Sequence, residues 1–322
     1  MSGAEPVVDS RDIEPVDASI QAILDGLGRI ILGKPDTLRL ALTCLLARGH
    51  LLIEDVPGVG KTTLAQALAS VLGLTYQRVQ FTSDLLPADV VGVSMFDRNS
   101  NEFVFHPGPL FNQVVVADEI NRATPKTQSA LLEAMQEQQV TVDGVTHDLP
   151  DPFFVIATQN PTEQVGTFPL PESQLDRFLM RLSVGFPSPQ TERELLLGED
   201  RAAMIREMQP VLTSARLQQL QQEAAKVHVS DALLDYLQAV VAMTRSDPRL
   251  NHPLSPRAAL GLLRCARAHA LIRGADAVIP DDVQAVAVAV IDHRVHWRDA
   301  GARLEGRESV GNYVIQSVPV SE

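Results

Sequence analysis

Short apolar runs alternate with amphipathic segments along the first half of the chain. Five of these runs have the length of buried strands, and they lie at 51–53, 76–81, 114–117, 153–158 and 180–184. In the segments between them, apolar residues recur every three or four positions, as they do on the buried face of a helix. Strands that alternate with helices predict a mostly parallel sheet covered by helices, which is an α/β fold.

Two helices are predicted ahead of the first strand, between Asp17 and Arg48. Their apolar stripes consist of Ile20, Ile23, Leu24 and Leu27 in the first and Leu38, Leu42, Leu45 and Leu46 in the second. The apolar segment between them contains Ile31 and Gly33. It either forms one wall of an adenine pocket or is an ordinary helix–helix turn, and the pattern supports both interpretations equally.

Two hairpins are predicted within this half. The arms of the first are 91–96 and 103–105, and the arms of the second, 140–142 and 146–149, flank the two-residue turn Asp143-Gly144. The rings of Phe96, Phe103 and Phe105 in the first hairpin either contact a client protein or fold back onto the domain.

Strand signals stop after residue 186, and the remainder has helical periodicity. Helix starts are predicted at Ser230, at Ser255-Pro256 and at Pro280. The predicted organisation is therefore a flexible N-terminal tail at 1–16, an α/β core at 17–186, a smaller all-helical lid at 187–300 and a loosely held tail at 301–322.

Composition narrows the class of protein. The chain has 322 residues and a formal net charge of −13, which argues against a generic nucleic-acid-binding surface. Its two cysteines, Cys44 and Cys265, lack metal-type spacing and are expected to fill the core in a reducing compartment. Neither a signal peptide nor a membrane-length apolar run is evident, so a cytoplasmic protein is expected.

A glycine-rich loop follows the first strand and opens a helix. Strand, glycine loop and helix start in this order are the context of a phosphate-binding loop, because the helix N-terminus offers unpaired N–H groups. Lys61 is expected to reach the β- and γ-phosphates, and the Thr62 hydroxyl to hold Mg²⁺. The candidate nucleotide-binding residues of this stretch are Asp55, Val56, Pro57, Gly58, Val59, Gly60, Lys61, Thr62 and Thr63.

Asp55 departs from the usual pattern, in which a glycine occupies the first position of the loop. Aspartate tolerates a left-handed backbone better than most residues do. A carboxylate directed at the phosphates would repel them, so the side chain of Asp55 is expected to point away.

Polar residues follow two further strands at their carboxyl ends, where ligands bind in parallel sheets. Asp118, which ends the strand at 114–117, is expected near Mg²⁺, and Glu119 is expected to take a proton from the attacking water. Asn160 follows the strand at 153–158 and can orient that water. Without a nucleotide, the two acids would begin a solvated loop and Asn160 would belong to an Asn-Pro turn.

In this order, the segments PGVGKT, VVVADEINRA, ATQNP, EQVGTFPLPESQLDRF and SPRAAL resemble the MoxR family of AAA+ ATPases, in the helix-2-insert clade. The resemblance covers about Ile31 to Trp297. It implies a five-stranded sheet of order 5-1-4-3-2 and a helical lid. It also implies that Asn160 is the sensor-1 residue, that Arg177 is an arginine finger and that Arg257 is the sensor-2 residue, reaching from the lid to phosphate. Arg122 and Arg181 are alternatives for contacts between subunits.

Family members form rings, usually hexamers, and the two hairpins match the family's helix-2 insert and pre-sensor-1 hairpin. The resemblance implies an ATPase that uses ATP and Mg²⁺ to remodel or mature a client complex or insert its metal cofactor, typically with a von Willebrand factor A domain partner. A magnesium-chelatase-like motor subunit, a nucleic-acid-dependent motor and a non-hydrolysing scaffold are the alternatives. The acidic charge and the lack of basic-aromatic clusters disfavour nucleic acid.

Overall fold

Eleven strands lie within residues 16–160, 166–298 and 309–320, the ranges that the computed structural model describes. In chain order they are β1 (Leu51–Glu54), β2 (Tyr76–Gln80), β3 (Gly92–Asp97), β4 (Glu102–Pro107), β5 (Val114–Asp118), β6 (Gln139–Val142), β7 (Val145–Asp148), β8 (Phe154–Gln159), β9 (Met180–Leu182), β10 (Leu250–Asn251) and β11 (His296–Trp297).

Thirteen α-helices are found in the same described ranges, besides two single-turn 3-10 helices, Pro109–Phe111 and Ile120–Arg122. They are α1 (Val16–Ile30), α2 (Pro35–Leu46), α3 (Lys61–Val71), α4 (Pro87–Val91), α5 (Pro125–Glu137), α6 (Glu172–Leu175), α7 (Pro189–Leu197), α8 (Arg201–Glu207), α9 (Ser214–Lys226), α10 (Asp231–Ser246), α11 (Pro256–Ile272), α12 (Pro280–Ile291) and α13 (Val310–Ser317).

The central sheet has the order β2-β5-β8-β1-β9, and all of its neighbouring strands run parallel. Numbered by their order along the chain, the five strands of this sheet read 5-1-4-3-2 from the β9 edge, which confirms the predicted order. The predicted strand at 180–184 is shorter in the structure and ends at Leu182.

Alternation along the central strands divides the core into two layers. Leu51 and Ile53 of β1 belong to an apolar cluster that continues into the helical lid, whereas Leu52 belongs to a second cluster on the opposite face. Strand β5 divides in the same way, and its residues 114–117 are fully buried. Because both faces of these central strands are covered, they offer polar groups to a ligand at their ends.

Both predicted hairpins are present, as β3–β4 and β6–β7. Phe105 follows the fold-back interpretation, since its ring stacks on His147 of the other hairpin with the centroids 4.0 Å apart. Phe96 and Phe103 contact each other and remain exposed. Of the three rings, only that of Phe105 follows the fold-back interpretation, and contact of the other two with a client stays a prediction.

Helices α7 to α13 follow the central sheet, and the region predicted as lid and tail differs from prediction in two ways. A short antiparallel pair, β10–β11, lies among the helices. The tail predicted to be loosely held after Gly301 contains α13, whose Val310 and Val314 are buried. The rest of that tail, at 301–308 and 321–322, and the N-terminal residues 1–15 lie outside the described residues.

Arg294, just after α12, joins the lid to the sheet. Its guanidinium is buried, with 6% of the side chain exposed, and donates to the carbonyls of Phe178 at 2.6 Å and Leu179 at 3.1 Å. It also pairs with the carboxylate of Asp176 at 2.7 Å. These acceptors all precede β9, so the lid is attached at the amino end of that strand.

Within the described ranges, no helix combines the length and the apolar character that crossing a membrane requires.

Candidate nucleotide-binding site

The glycine loop leads directly from β1 into α3. Gly58 and Gly60 have φ angles of 84° and 88°, in the left-handed region that favours glycine. Gly60 is the N-cap residue of α3 and has no side chain with which to bond the first turn. The first N–H groups of a helix lack acceptors within the helix and can donate to phosphate oxygens, and the helix dipole adds a partial positive charge.

Lys61 lies at the carboxyl edge of the sheet. Its Nζ donates to the carbonyl of Asp55 at 2.5 Å and contacts the carbonyl of Gln159 at 3.4 Å. These carbonyls follow β1 and end β8, so the ammonium spans the gap between two adjacent strands. A phosphate group at the loop would exchange these neutral acceptors for charged ones, which bind an ammonium more strongly.

Asp55 turns away from the loop, as its charge requires. Its Oδ2 accepts hydrogen bonds from the Ser183 hydroxyl at 2.8 Å and the Gly185 amide at 2.6 Å, and its Oδ1 accepts one from the Val56 amide at 2.9 Å. Partial burial acts to raise the pKa of Asp55, but these hydrogen bonds outweigh it and lower the pKa below its usual value. The φ angle of Asp55 is not positive, so the left-handed tolerance invoked from the sequence is not used.

Thr62 and Asp118, 56 residues apart in the chain, meet beside the loop. The Thr62 hydroxyl lies 3.2 Å from Oδ2 of Asp118, and the Thr158 hydroxyl donates to Oδ1 at 2.5 Å. Burial acts to raise the pKa of Asp118, but hydrogen bonds from Thr158 and Arg78 together with the Arg78 charge lower it. Asp118 is therefore a carboxylate at neutral pH.

Two oxygens at this separation fit Mg²⁺, which prefers oxygen ligands and usually takes few of them from protein. In the described part of the chain, no group of three or more histidine, cysteine, aspartate or glutamate side chains could hold a metal ion. Any Mg²⁺ at Thr62 and Asp118 therefore requires further oxygens from a nucleotide or from water.

Two side chains of β2 reach the acids at the end of β5. Arg78 donates to Oδ2 of Asp118 from Nε at 3.0 Å and from Nη2 at 2.6 Å. Gln80, which pairs with Asp118 in the register of the sheet, donates to Oε2 of Glu119 at 2.8 Å. Nη2 of Arg78 also reaches Oε1 of Gln80 at 3.2 Å, so these side chains link the two acids.

Glu119 has its backbone in the left-handed region, with φ 55° and ψ 49°, which is uncommon outside glycine. Its amide donates to the Thr158 hydroxyl at 2.9 Å, which fixes the turn after β5 against β8. Asn160 follows β8 directly and is 4% exposed. Glu119 and Asn160 thus leave two neighbouring strands at the carboxyl edge, as predicted.

The apolar segment after α1 lies against the glycine loop. A cavity of about 170 Å³ is lined by Ile31 and Leu32 on one side, by Val59 and Thr63 on another and by Val184 on a third. Gly33 has a φ of 69° and touches Thr191 rather than this cavity. The position of Ile31 favours the adenine-pocket interpretation over the plain turn.

The two arginines predicted to act on phosphate lie near the amino ends of the strands, on the side of the sheet away from the glycine loop. Arg177 and Arg257 line one cavity of about 320 Å³ with Gly49, which precedes β1, whereas the glycine loop follows β1. At about 3.3 Å per residue, that strand alone separates them from the loop by about 13 Å. Arg257 therefore does not lie beside the glycine loop of its own chain, and Ser255 at the start of α11 bonds to Asp176 at 3.2 Å.

This second cavity is strongly cationic. Arg48 and Arg294 line it but are paired with Asp151 and Asp176. The other three, Arg177, Arg257 and Arg264, have no carboxylate partner among the described residues. Like charges gathered in one cavity repel one another, so the arrangement suits an anion.

Arg181 and Arg122, the alternatives for contacts between subunits, are engaged within the chain. Arg181 pairs with Glu54 at 2.7 Å and donates to the carbonyl of Asp292 at 3.1 Å. Arg122 lies 3.1 Å from the carboxylate of Glu119. Both side chains are thus ion-paired within the chain, whereas Arg177 and Arg257 have no carboxylate partner among the described residues.

The residues that sequence reasoning missed are Arg78, Gln80 and Arg264. Arg78 and Gln80 share one face of β2 by simple alternation, which is a detectable signal, but polar alternation alone is typical of any solvated strand. Arg264 stands seven residues after Arg257, two turns along the same helix face, and that spacing could have been noticed.

Comparison with known proteins agrees with this geometry. The profile of the family described as ATPase family associated with various cellular activities (AAA) matches residues 50–180, and that of the AAA lid domain matches residues 242–313. A crystal structure of a protein from Cytophaga hutchinsonii has a TM-score of 0.84 and 32% identity, covering 95% of this chain and 96% of that one.

Three curated relatives cover most of the chain. Uncharacterized protein YeaC of Bacillus subtilis is 45% identical, over 92% of this chain and 93% of its own. Chaperone MoxR1 of Mycobacterium tuberculosis is 43% identical, over 91% and 80%. Protein MoxR of Paracoccus denitrificans is 35% identical, over 85% and 87%.

Proposed function

The chain belongs to the MoxR family of AAA+ ATPases, and from this premise we propose that it binds ATP with Mg²⁺ and hydrolyses the bond to the γ-phosphate. One observation carries the proposal. Thr62 and Asp118, remote in the chain, lie 3.2 Å apart beside a loop with two left-handed glycines and a lysine.

The phosphate tail is assigned to the glycine loop. The loop amides and the first N–H groups of α3 can donate to phosphate oxygens, because the first N–H groups of a helix have no acceptors within the helix. The Lys61 ammonium exchanges the carbonyls of Asp55 and Gln159 for the β- and γ-phosphates. The adenine is assigned to the cavity lined by Ile31 and Val184.

Thr62 and Asp118 are the residues that would hold Mg²⁺, through their hydroxyl and carboxylate oxygens. Bound Mg²⁺ neutralises phosphate charge while the γ-phosphoryl group is transferred. Thr158 keeps the Asp118 carboxylate oriented by donating to its other oxygen at 2.5 Å.

Glu119 is the proposed general base. Its carboxylate takes the proton of the attacking water, and Asn160 at the end of the neighbouring strand orients that water through its amide. Both groups directly follow strands that pair with each other in the sheet, so strand pairing limits their separation.

The cationic cavity supports a ring. We assign Arg177, Arg257 and Arg264 to the phosphates of a nucleotide held by a neighbouring copy, because their own glycine loop lies across the sheet. A guanidinium at a neighbour's γ-phosphate stabilises charge that develops in the transition state. Each site is then completed between two subunits, and the expected assembly is a hexamer.

Energy from hydrolysis is proposed to drive remodelling of a client protein complex. The support for this step is the relative named Chaperone MoxR1, together with the exposed rings of Phe96 and Phe103 on the first hairpin. A von Willebrand factor A domain protein remains the expected partner, and maturation or metal-cofactor insertion the expected outcome for the client.

Nucleotide binding tests the proposal directly. The wild-type protein is titrated with a fluorescent ATP analogue in the presence of Mg²⁺, beside K61A and a charge-matched control, K126A, from the first turn of α5. We expect saturable binding by wild type and K126A and at least about tenfold weaker binding by K61A. Equal affinity of K61A and wild type would remove Lys61 from the site, and no binding by wild type would overturn the function.

A further inference from the structure

The Asp118 oxygen that is assigned to Mg²⁺ already forms an ion pair with Arg78. Arg78 makes two hydrogen bonds to Oδ2, at 3.0 and 2.6 Å, and the Thr62 hydroxyl lies 3.2 Å from that same oxygen. The other oxygen is taken by Thr158. The assigned metal position therefore borders a group that is already positively charged.

The two partners differ in their freedom to move. The Asp118 side chain is 10% exposed and belongs to a fully paired central strand, whereas the Arg78 side chain is 50% exposed and extends from the edge strand β2. A nearly buried carboxylate is costly without a counter-charge, and a half-exposed guanidinium can return to water at little cost. Of the pair, Arg78 is the one able to leave.

We propose that Arg78 is a positioning residue that neutralises Asp118 in the nucleotide-free protein and is released when the metal–nucleotide complex binds. This rests on the proposed function, because it requires Mg²⁺ at Asp118. Arg78 then sets how much Mg²⁺ is needed for loading, since the metal competes with an existing ion pair.

The release of Arg78 also affects the second acid. Arg78 donates to Oε1 of Gln80 at 3.2 Å, and Gln80 donates to Oε2 of Glu119 at 2.8 Å. When Arg78 leaves Asp118, Gln80 loses the partner that orients its amide, and the hold on Glu119 weakens. Loading at the metal acid is thereby linked to the freedom of the general base.

The test measures Mg²⁺ dependence of binding by the full chain, not turnover. A fluorescent ADP analogue is titrated at increasing Mg²⁺ concentrations, and separately in EDTA, with wild type, R78Q and R98Q. Arg98 lies in the turn of the β3–β4 hairpin, so R98Q removes the same charge at a position away from the site.

We expect R78Q to lower the half-saturating Mg²⁺ concentration by about three- to tenfold, as removal of one charge-assisted pair implies. R98Q is expected to match wild type, and binding in EDTA to be equal for all three proteins. An unchanged or higher Mg²⁺ requirement for R78Q would overturn the inference. Weaker binding of R78Q in EDTA would also do so, by making Arg78 a phosphate ligand.

A second variant covers the case in which R78Q does not fold. R78K keeps the charge but cannot make the paired hydrogen bonds, so it is expected to lower the Mg²⁺ requirement by a smaller factor. No shift in R78K would then overturn the inference. Absence of any nucleotide binding by wild type would instead defeat the proposed function, so the two failures are distinguishable.

Discussion

The amide of Gln80 donates a hydrogen bond to Oε2 of Glu119 at 2.8 Å, and the guanidinium of Arg122 contacts the same oxygen at 3.1 Å. Two side chains on different elements thus hold one oxygen of the Glu119 carboxylate.

Replacing Glu119 by glutamine removes the proton acceptor but preserves the size of the side chain. We expect E119Q to bind ATP with wild-type affinity and to lose at least about 100-fold in phosphate release, the usual contribution of a general base. Phosphate release and fluorescent nucleotide binding are measured side by side, with E133Q on the exposed face of α5 as control. Unchanged release by E119Q would refute the assigned role.

Mixing two inactive variants tests whether Arg257 serves a neighbouring site. K61A lacks a working glycine loop, and R257A lacks only the lid arginine. If Arg257 acts on a neighbour, mixed rings contain boundaries with one intact loop facing one intact arginine, and ATPase activity returns. If Arg257 acts within its own chain, mixing restores nothing. R177A mixed with K61A is the parallel case and is expected to recover in the same way.

Changing Asp55 to the more common glycine is expected to weaken the fold rather than improve ATP binding. The change removes hydrogen bonds from Ser183, Gly185 and Val56, and no positive φ angle calls for glycine there. Because Asp55 is partly exposed, we expect a loss of about 1 kcal/mol of unfolding free energy in D55G. A melting temperature equal to or above that of wild type, or tighter ATP binding, would contradict this.

The lid carries a carboxylate whose stabilising effect depends on pH. Asp282 is fully buried, which acts to raise its pKa, but hydrogen bonds from His269, Arg273 and the Ile279 amide lower it to about 2. A carboxylate whose pKa is lower in the folded than in the unfolded protein stabilises the fold at pH values above its unfolded-state pKa. This stabilisation is lost as the pH falls through the folded-state pKa. We expect about 2 kcal/mol to disappear between pH 4 and pH 2, a range set by the unfolded and folded pKa values.

Denaturant unfolding at several pH values measures this dependence, with D282N as the comparison. That variant is expected to be less stable at pH 7 and to have a flatter profile below pH 4 than wild type. Parallel profiles for the two proteins would show that Asp282 does not carry the acid sensitivity.

The hairpin rings are expected to differ in their effect on stability. Phe105 packs on His147 with the centroids 4.0 Å apart and on Phe111 at 5.4 Å, so F105A should loosen both hairpins. Phe103 is 74% exposed, and F103A should leave the melting temperature unchanged while weakening client binding. Hydrogen exchange of β7 amides distinguishes them, since faster exchange is expected in F105A alone. Equal exchange in both variants would reject the division.

The parts of the site that were predicted correctly are those encoded by contiguous residues. The glycine loop between β1 and α3 and the acids at the end of β5 follow from local pattern, and parallel pairing then brings Thr62 to Asp118. The sheet order came from the family resemblance, because local periodicity does not specify which strands are neighbours.

The parts that escaped prediction depend on tertiary contacts. Arg78 and Gln80 look like a solvated strand face until the register places Gln80 opposite Asp118. The position of Arg257 is decided by how the lid docks, through Ser255 and Arg294 on Asp176, which no spacing within the chain reveals. Helix α13 has only eight residues, too few for its apolar spacing to stand out from an irregular tail.

The contacts of Arg294 with the residues that precede β9 affect which parts of the chain can move relative to one another. If the lid moved away from the sheet, the buried guanidinium would lose its acceptors at Asp176, Phe178 and Leu179. The carboxylate and the two carbonyls would lose their donor at the same time, which is costly in a buried position. We therefore expect the lid and the sheet to move together as one rigid body. In the proposed ring, bending is then expected at the interfaces between adjacent copies, where the arginines of one copy are proposed to face the glycine loop of the next.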